Sequence, residues 1–213
     1  MAIKFNFLIL FIILCLLSSL ITWASQWILI SEDMYFNAFG EQLSDEKINE
    51  LIRISKDWNW IIYVVIPFIY ISKLFLVAVT LFVGAFLFRF NIGLKSLFKI
   101  VLQAEFIFLL PPIIKLLWLS LVSTHYTLTD LQFFTPLSLI NLFDRTGIQQ
   151  MFIYPISLIN LFEIIYVLFL SYLLNKETAS DFTSSLKLVI CSYGIGLLIW
   201  VIFVMFISVT LAV

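Results

Sequence analysis

Four ionisable side chains, Lys73, Glu105, Lys115 and Glu163, stand inside long apolar runs, and Ser157 and Asn160 precede the last of them at a spacing of three. A charged group facing lipid at a helix centre costs about 2.5 to 3.5 kcal/mol on the insertion scale. Each of these residues therefore needs a counter-charge, a hydrogen-bond partner or a proton. A lysine and a glutamate that meet neutralise one another and fix the register of two helices. Set along a cavity with an amide and a hydroxyl, the same groups line a polar path. Residues three apart share a slowly drifting strip of a helix, so Ser157, Asn160 and Glu163 form a face that can bond a neighbouring helix.

Glu163 also ends a near-duplication. The run Pro-Leu-Ser-Leu-Ile-Asn-Leu-Phe-Asp at 136–144 returns at 155–163 as Pro-Ile-Ser-Leu-Ile-Asn-Leu-Phe-Glu. Proline is favoured at the first position of a helix because it has no amide to leave unsatisfied. Each copy therefore reads as a helix start, with Thr135 capping Pro136 in the first and Pro155 opening a membrane crossing in the second. Asp144 would stay near water, and Glu163 would be carried to depth.

The elements that must hold these residues follow from composition. The chain has 213 residues, of which 63% are hydrophobic and 12% charged, with a mean hydropathy of +1.13. That is too little polar surface for a water-soluble globule of this length, so an all-α integral membrane protein is expected. A bilayer core of about 30 Å needs about 20 apolar residues of helix. Five stretches qualify: 5–30, 60–88, 100–122, 151–174 and 186–213. With the N-terminus inside, the inner loops carry Lys4, Arg89, Lys95, Lys99, Lys176 and Lys187 against Glu177 and Asp181. The outer segments, 31–59 and 123–150, carry four bases against nine acids. This asymmetry favours N-in and C-out. Trp23, Trp27, Trp58, Trp60 and Trp118 fall at the outer boundary, where an aromatic belt belongs. The first span has the basic start of a signal peptide, but its apolar run exceeds the usual length of about 7 to 15 residues, which favours an uncleaved anchor.

Depth suggests which charges meet. At ~1.5 Å per residue from the inner ends, Lys73 lies ~24 Å deep, Glu163 ~18 Å, Lys115 ~24 Å and Glu105 ~9 Å. Lys73 and Glu163 are the best-matched pair. Lys115 follows Pro111-Pro112, a kink, and its long stem can snorkel outward. In the first outer segment Ser44 can cap a short polar helix, with Leu43 stapled to Ile48 and an apolar stripe of Ile48, Leu51 and Ile52. The second outer segment predicts an interfacial or re-entrant helix ended by Arg145 and Gly147.

Other chemistry lacks its parts. His125 is the single histidine and has no HExxH or CxxC context, and there is no Gly-rich phosphate loop. Cys15 and Cys191 sit in separate apolar runs and read as small core residues. No catalytic residue, cofactor or metal site is expected, the chain reads as a non-enzyme, and no basic patch points to nucleic acid.

Residues 70–213 resemble the Yip1 family of small polytopic membrane proteins. The resemblance rests on the run from Pro155 through Ser157, Asn160 and Phe162 to Glu163, and on Ser192-Tyr193-Gly194 opening the last span. It implies five spans with a cytoplasmic N-terminus, and a membrane-organising or trafficking role without catalytic residues to carry over. Eukaryotic members have a long cytosolic N-terminal region thought to engage small GTPases. The short segment here, together with the many Lys, Ile, Phe and Asn residues, implies the bacterial type. The expected function is thus a non-enzymatic scaffold or accessory subunit in a bacterial inner membrane, with lipids and other integral membrane proteins as partners. Two alternatives stand beside it: a small transporter or permease subunit with a polar midplane site at Lys73 and Glu163, and a lipid-binding protein with a laterally open apolar groove.

Overall fold

In lipid every backbone N–H and C=O must bond within the protein, and a helix does this within one segment. The computed structural model describes residues 6–123, 126–143 and 148–211, and the regular elements among them are all helical. The elements are α1 (Phe7–Leu29), α2 (Glu32–Phe39), α3 (Asp45–Trp58), α4 (Trp60–Leu87), α5 (Leu94–Glu105), α6 (Leu110–Leu121), α7 (Leu128–Phe133), α8 (Gln150–Leu158), α9 (Leu161–Thr178) and α10 (Phe182–Leu211). A 3-10 turn, Phe106–Leu109, joins α5 to α6, so Leu94–Leu121 forms one rod. Pro111 and Pro112 deny amide donors to the carbonyls four residues earlier, and the tighter turn lies just ahead of them.

Among the described residues four segments are long and apolar enough to cross a membrane: Phe7–Leu29, Trp60–Leu87, Leu94–Leu121 and Phe182–Thr210. The third begins six residues before the expected 100, because Gly93 starts the helix and Lys95 and Lys99 lie within its first turns. The span expected at 151–174 is instead two helices, α8 and α9, broken at Ile159 and Asn160. Pro155 lies inside α8 rather than at its start.

The bundle is built around α5, which buries Leu97, Ile100, Val101, Leu102, Ala104 and Glu105 against α4, α9 and α1. On one flank, α10 packs on α4, α9 and α8, and on the other α1 packs on α6 and α4. Helices α4 and α10 are antiparallel and closely apposed: a Cβ on Gly84 would stand 2.4 Å from that of Ser192, and one on Gly196 would stand 2.8 Å from Thr80 Cγ2. Small residues let helix backbones approach in this way. The end of α4 is a Schellman motif, in which Arg89 has a left-handed φ of 58° while the amides of Arg89 and Phe90 bond the carbonyls of Phe86 and Ala85. Asp181 starts α10 by accepting the Ser184 amide, and its hydrogen bonds with Ser184 hold its carboxyl below the usual carboxylate range.

Around this core the perimeter is apolar, with Leu16, Leu20, Phe68, Phe86 and Leu198 among its exposed side chains. Cys191 is on this perimeter too, not in the core, while Cys15 is half-buried. The five tryptophans expected in a boundary belt are all exposed, and Trp23 stacks on Trp27.

The first segment expected outside, 31–59, contains two helices where one was expected. Ser44 does precede α3, and Ile48 and Ile52 are buried, but Leu51 is exposed. Lys56 of α3 reaches Glu32 of α2 at 2.5 Å. In the second, α7 opens with a capping box between Thr127 and Asp130. Pro136 does not start a helix: Leu137 is left-handed at φ 52°, and a 3-10 turn, Leu139–Leu142, follows. The Thr135 carbonyl accepts from the Asn141 side chain. The expectations placed on Lys4, His125, Asp144, Arg145 and Gly147 lie outside the described residues.

Candidate intramembrane polar site

Lys73 stands midway along α4, and Glu105 ends α5 where the helix tightens into the 3-10 turn. Lys73 Nζ donates to Glu105 Oε1 at 2.5 Å. The carboxylate is 1% exposed and the lysine side chain 36%. Opposite charges this close, out of water, attract strongly, yet the pair is stable only if the remaining valences are also met. Tyr166 of α9 supplies part of this, with its hydroxyl 3.5 Å from Glu105 Oε2. The ammonium also lies 3.7 Å from the centroid of the Phe108 ring and 5.8 Å from that of Tyr166, within reach of a cation–π attraction.

The expected partnership of Lys73 with Glu163 is therefore corrected. Glu105 takes the lysine because its helix starts at Leu94, which lowers it to ~17 Å from the inner end rather than ~9 Å. It is also the adjacent helix, α5, that packs on α4.

Glu163 is served by the break in the fourth segment. Asn160 is the N-cap of α9, and its Oδ1 accepts the Glu163 amide at 2.9 Å. Its Nδ2 donates to the Ser157 and Leu158 carbonyls. One Glu163 carboxylate oxygen accepts from the Tyr193 hydroxyl. Ser157 folds back on the Tyr154 carbonyl at 2.7 Å. The Ser157, Asn160, Glu163 strip is thus spent largely on satisfying its own broken backbone rather than bonding a neighbour along a continuous helix.

The first copy of the repeat completes that task. Leu139 N–H donates to Ile159 O at 2.9 Å and Leu161 N–H to Leu137 O at 3.1 Å, an antiparallel bridge between Ser138 and Asn160. Ser138 Oγ donates to Ser157 O at 2.9 Å, among carbonyls that the end of α8 leaves without helical donors. The two copies are bonded to each other, and each occupies the gap in the other's hydrogen bonding.

Lys115 is elsewhere. It lines a pocket of about 310 Å³ with Ser18, Thr22, Gln26, Tyr70 and Leu131. Beside it the contact between α1 and α4 is polar, with Tyr70 donating to Ser18 at 3.2 Å, and Asn59 and Tyr63 donating to Gln26 Oε1 at 2.7 and 3.1 Å. Sequence reasoning missed Tyr166, Tyr193 and Ser138. The two tyrosines had a usable signal, since a phenol in an apolar span must also find a partner and Tyr166 is three residues beyond Glu163. Ser138 had none, because its partners are carbonyls.

Chemically, the arrangement pairs a buried acid directly with an ammonium and a phenol, and gives a second, partly buried acid a phenol as its side-chain hydrogen-bond donor among the described residues. No protein-family model, curated protein or solved structure matches the chain.

Proposed function

We propose that this protein is a non-enzymatic scaffold or accessory subunit of a membrane complex, crossing the bilayer five times with its N-terminus in the cytoplasm and its C-terminus outside. The observation that carries this reading is the direct pairing of Lys73 with Glu105 beside Phe108 and Tyr166. The charges of Lys73 and Glu105 are spent on holding α4, α5 and α9 together, while the outward faces are left to lipid or partner helices. The isoleucine- and phenylalanine-rich composition is what favours the bacterial inner membrane as the location, and an organising role of Yip1 type agrees with it.

The fifth crossing rests on a topological argument. Helices α4 and α10 run antiparallel, since Gly84 faces Ser192 and Thr80 faces Gly196. Between them the α5–α6 rod returns the chain to the side from which α4 began. One further passage must then occur before Phe182, and the α8–α9 segment is the one available. Its 18-residue second helix is ~27 Å long, close to the hydrocarbon thickness.

Purification from native membranes in a mild detergent tests the reading. A partner of reproducible stoichiometry that survives size exclusion is the expected result. A lone monomer, released under conditions that leave other inner-membrane complexes intact, overturns it.

A further inference from the structure

Two acids lie within the apolar helices, and of the two only Glu105 forms an ion pair among the described residues. Glu105 has Lys73. Glu163 accepts one hydrogen bond from Tyr193, and its second oxygen has no hydrogen-bond partner among the described residues. This carboxylate lines a groove of about 420 Å³ between the start of α9 and α10, with Leu158, Ile164, Leu198 and Ile202 as walls. The groove is apolar apart from Glu163 and Asn160, and the Asn160 side chain is already committed on both sides to backbone groups. Ile164, Leu198 and Ile202 are more than half exposed, so the groove opens outward from the bundle toward lipid.

The shape of the groove suits a helix. On α10 it runs from Gly194 to Ile202, a rise of ~12 Å. Gly194 forms its inner end, and a Cβ there would meet nothing within 4 Å. Gly84 and Gly196, which also belong to the α4–α10 pair, are by contrast filled by Ser192 and Thr80. Gly194 is thus a small residue with open space against it, beside a carboxylate that forms no ion pair among the described residues. Helices in membranes associate through close approach at such residues and through polar pairs, and intramembrane charges pair with one another.

We propose that this groove receives a transmembrane helix of a partner protein that carries a lysine or arginine at mid-membrane depth, its cation meeting Glu163 as Lys73 meets Glu105. The proposal rests on the accessory-subunit reading and names the site and the kind of partner. Charge complementarity selects a basic helix over a lipid tail, which would leave the acid unpaired.

The test uses the full chain in lipid vesicles with leucine-alanine peptides of about 20 residues, bearing lysine, leucine or glutamate at the centre and a fluorophore for energy transfer. The lysine peptide should bind at least about tenfold more tightly than the leucine peptide. Glu163→Gln, which keeps an acceptor for Tyr193, should abolish that preference, and Gly194→Phe should lower binding of every peptide by filling the groove, both with unchanged melting. Equal binding of the lysine and leucine peptides overturns the proposal, as does a preference that survives Glu163→Gln. Glu163-dependent self-association overturns it in favour of a second copy. A lipid retained by wild type in native mass spectra and lost in Gly194→Phe overturns it in favour of a lipid. Because the peptides probe the groove directly, their failure beside a stable native partner moves the contact elsewhere and leaves the accessory-subunit reading intact. Peptide binding by a protein with no native partner overturns that reading instead.

Discussion

Glu105 and Glu163 are the same kind of side chain within apolar helices, and burial and neighbours separate them: Glu105 is enclosed in the core, whereas Glu163 lines an open groove. Glu105 is met by an ammonium and a phenol, and that ammonium lies over the Phe108 ring, so removing one member of the ion pair leaves an uncompensated charge. Lys73→Met or Glu105→Gln alone should cost on the order of 3 kcal/mol, and the double substitution should regain more than half of that loss in reversible unfolding from detergent. Additive losses would sink the pairing. The same cycle run with Lys73→Met and Glu163→Gln should show no comparable coupling, which distinguishes the observed partnership from the one that depth alone suggests. Tyr193→Phe should be milder, about 0.6 kcal/mol, the typical size of a hydrogen bond between membrane helices.

At the scale of elements, the distinctive feature is a helix broken in mid-course and repaired by a distant copy of its own sequence. The N-cap carboxamide of Asn160 and the hydroxyl of Ser138 each satisfy backbone groups that the break exposes. Asn160→Ala should cost ~1 kcal/mol, the usual value of a lost N-cap. Ser138→Ala should cost a similar ~1 kcal/mol, and should speed hydrogen exchange at the amides of Leu139 and Leu161, which the bridge protects. Unchanged exchange at both amides would mean that the bridge persists without the hydroxyl. The α4–α10 contact makes a different demand, for closeness. Gly84→Leu drives a side chain into Ser192 and should destabilise by about 1 to 3 kcal/mol. Gly93→Ala, with open space around it, should stay within about 0.5 kcal/mol.

For the whole molecule, the antiparallel pairing of α4 with α10 makes the sidedness of the loops a measurable consequence of the fold. In a background where Cys15 and Cys191 are replaced by alanine, a cysteine at Glu41 should react with a membrane-impermeant maleimide in intact cells. Cysteines at Lys95 and Asp181 should react only after permeabilisation. Labelling of Asp181 together with Glu41 would show that the α8–α9 segment does not cross, and labelling of Lys95 from outside would invert the orientation.

What was legible in the residues and what was not divides along physical lines. Hydropathy by itself determined the membrane setting and the helical class, because a backbone in lipid has few ways to satisfy itself. The four long spans and the need of Lys73 and Glu105 for partners were both readable, since each depends on local composition. The partnership of Lys73 was not, for it turned on where α5 begins, a matter of ~9 Å of rise over six residues, and on α5 rather than α9 lying against α4 at that level. The repeat misled for a similar reason. Its two copies were read as two helix starts from their own residues, whereas the first copy is held in a turn by backbone bonds to the second. Only the tertiary structure decides such bonds, because an N–H and a C=O carry no side-chain signature and their pairing is set by which segments the packed bundle brings together.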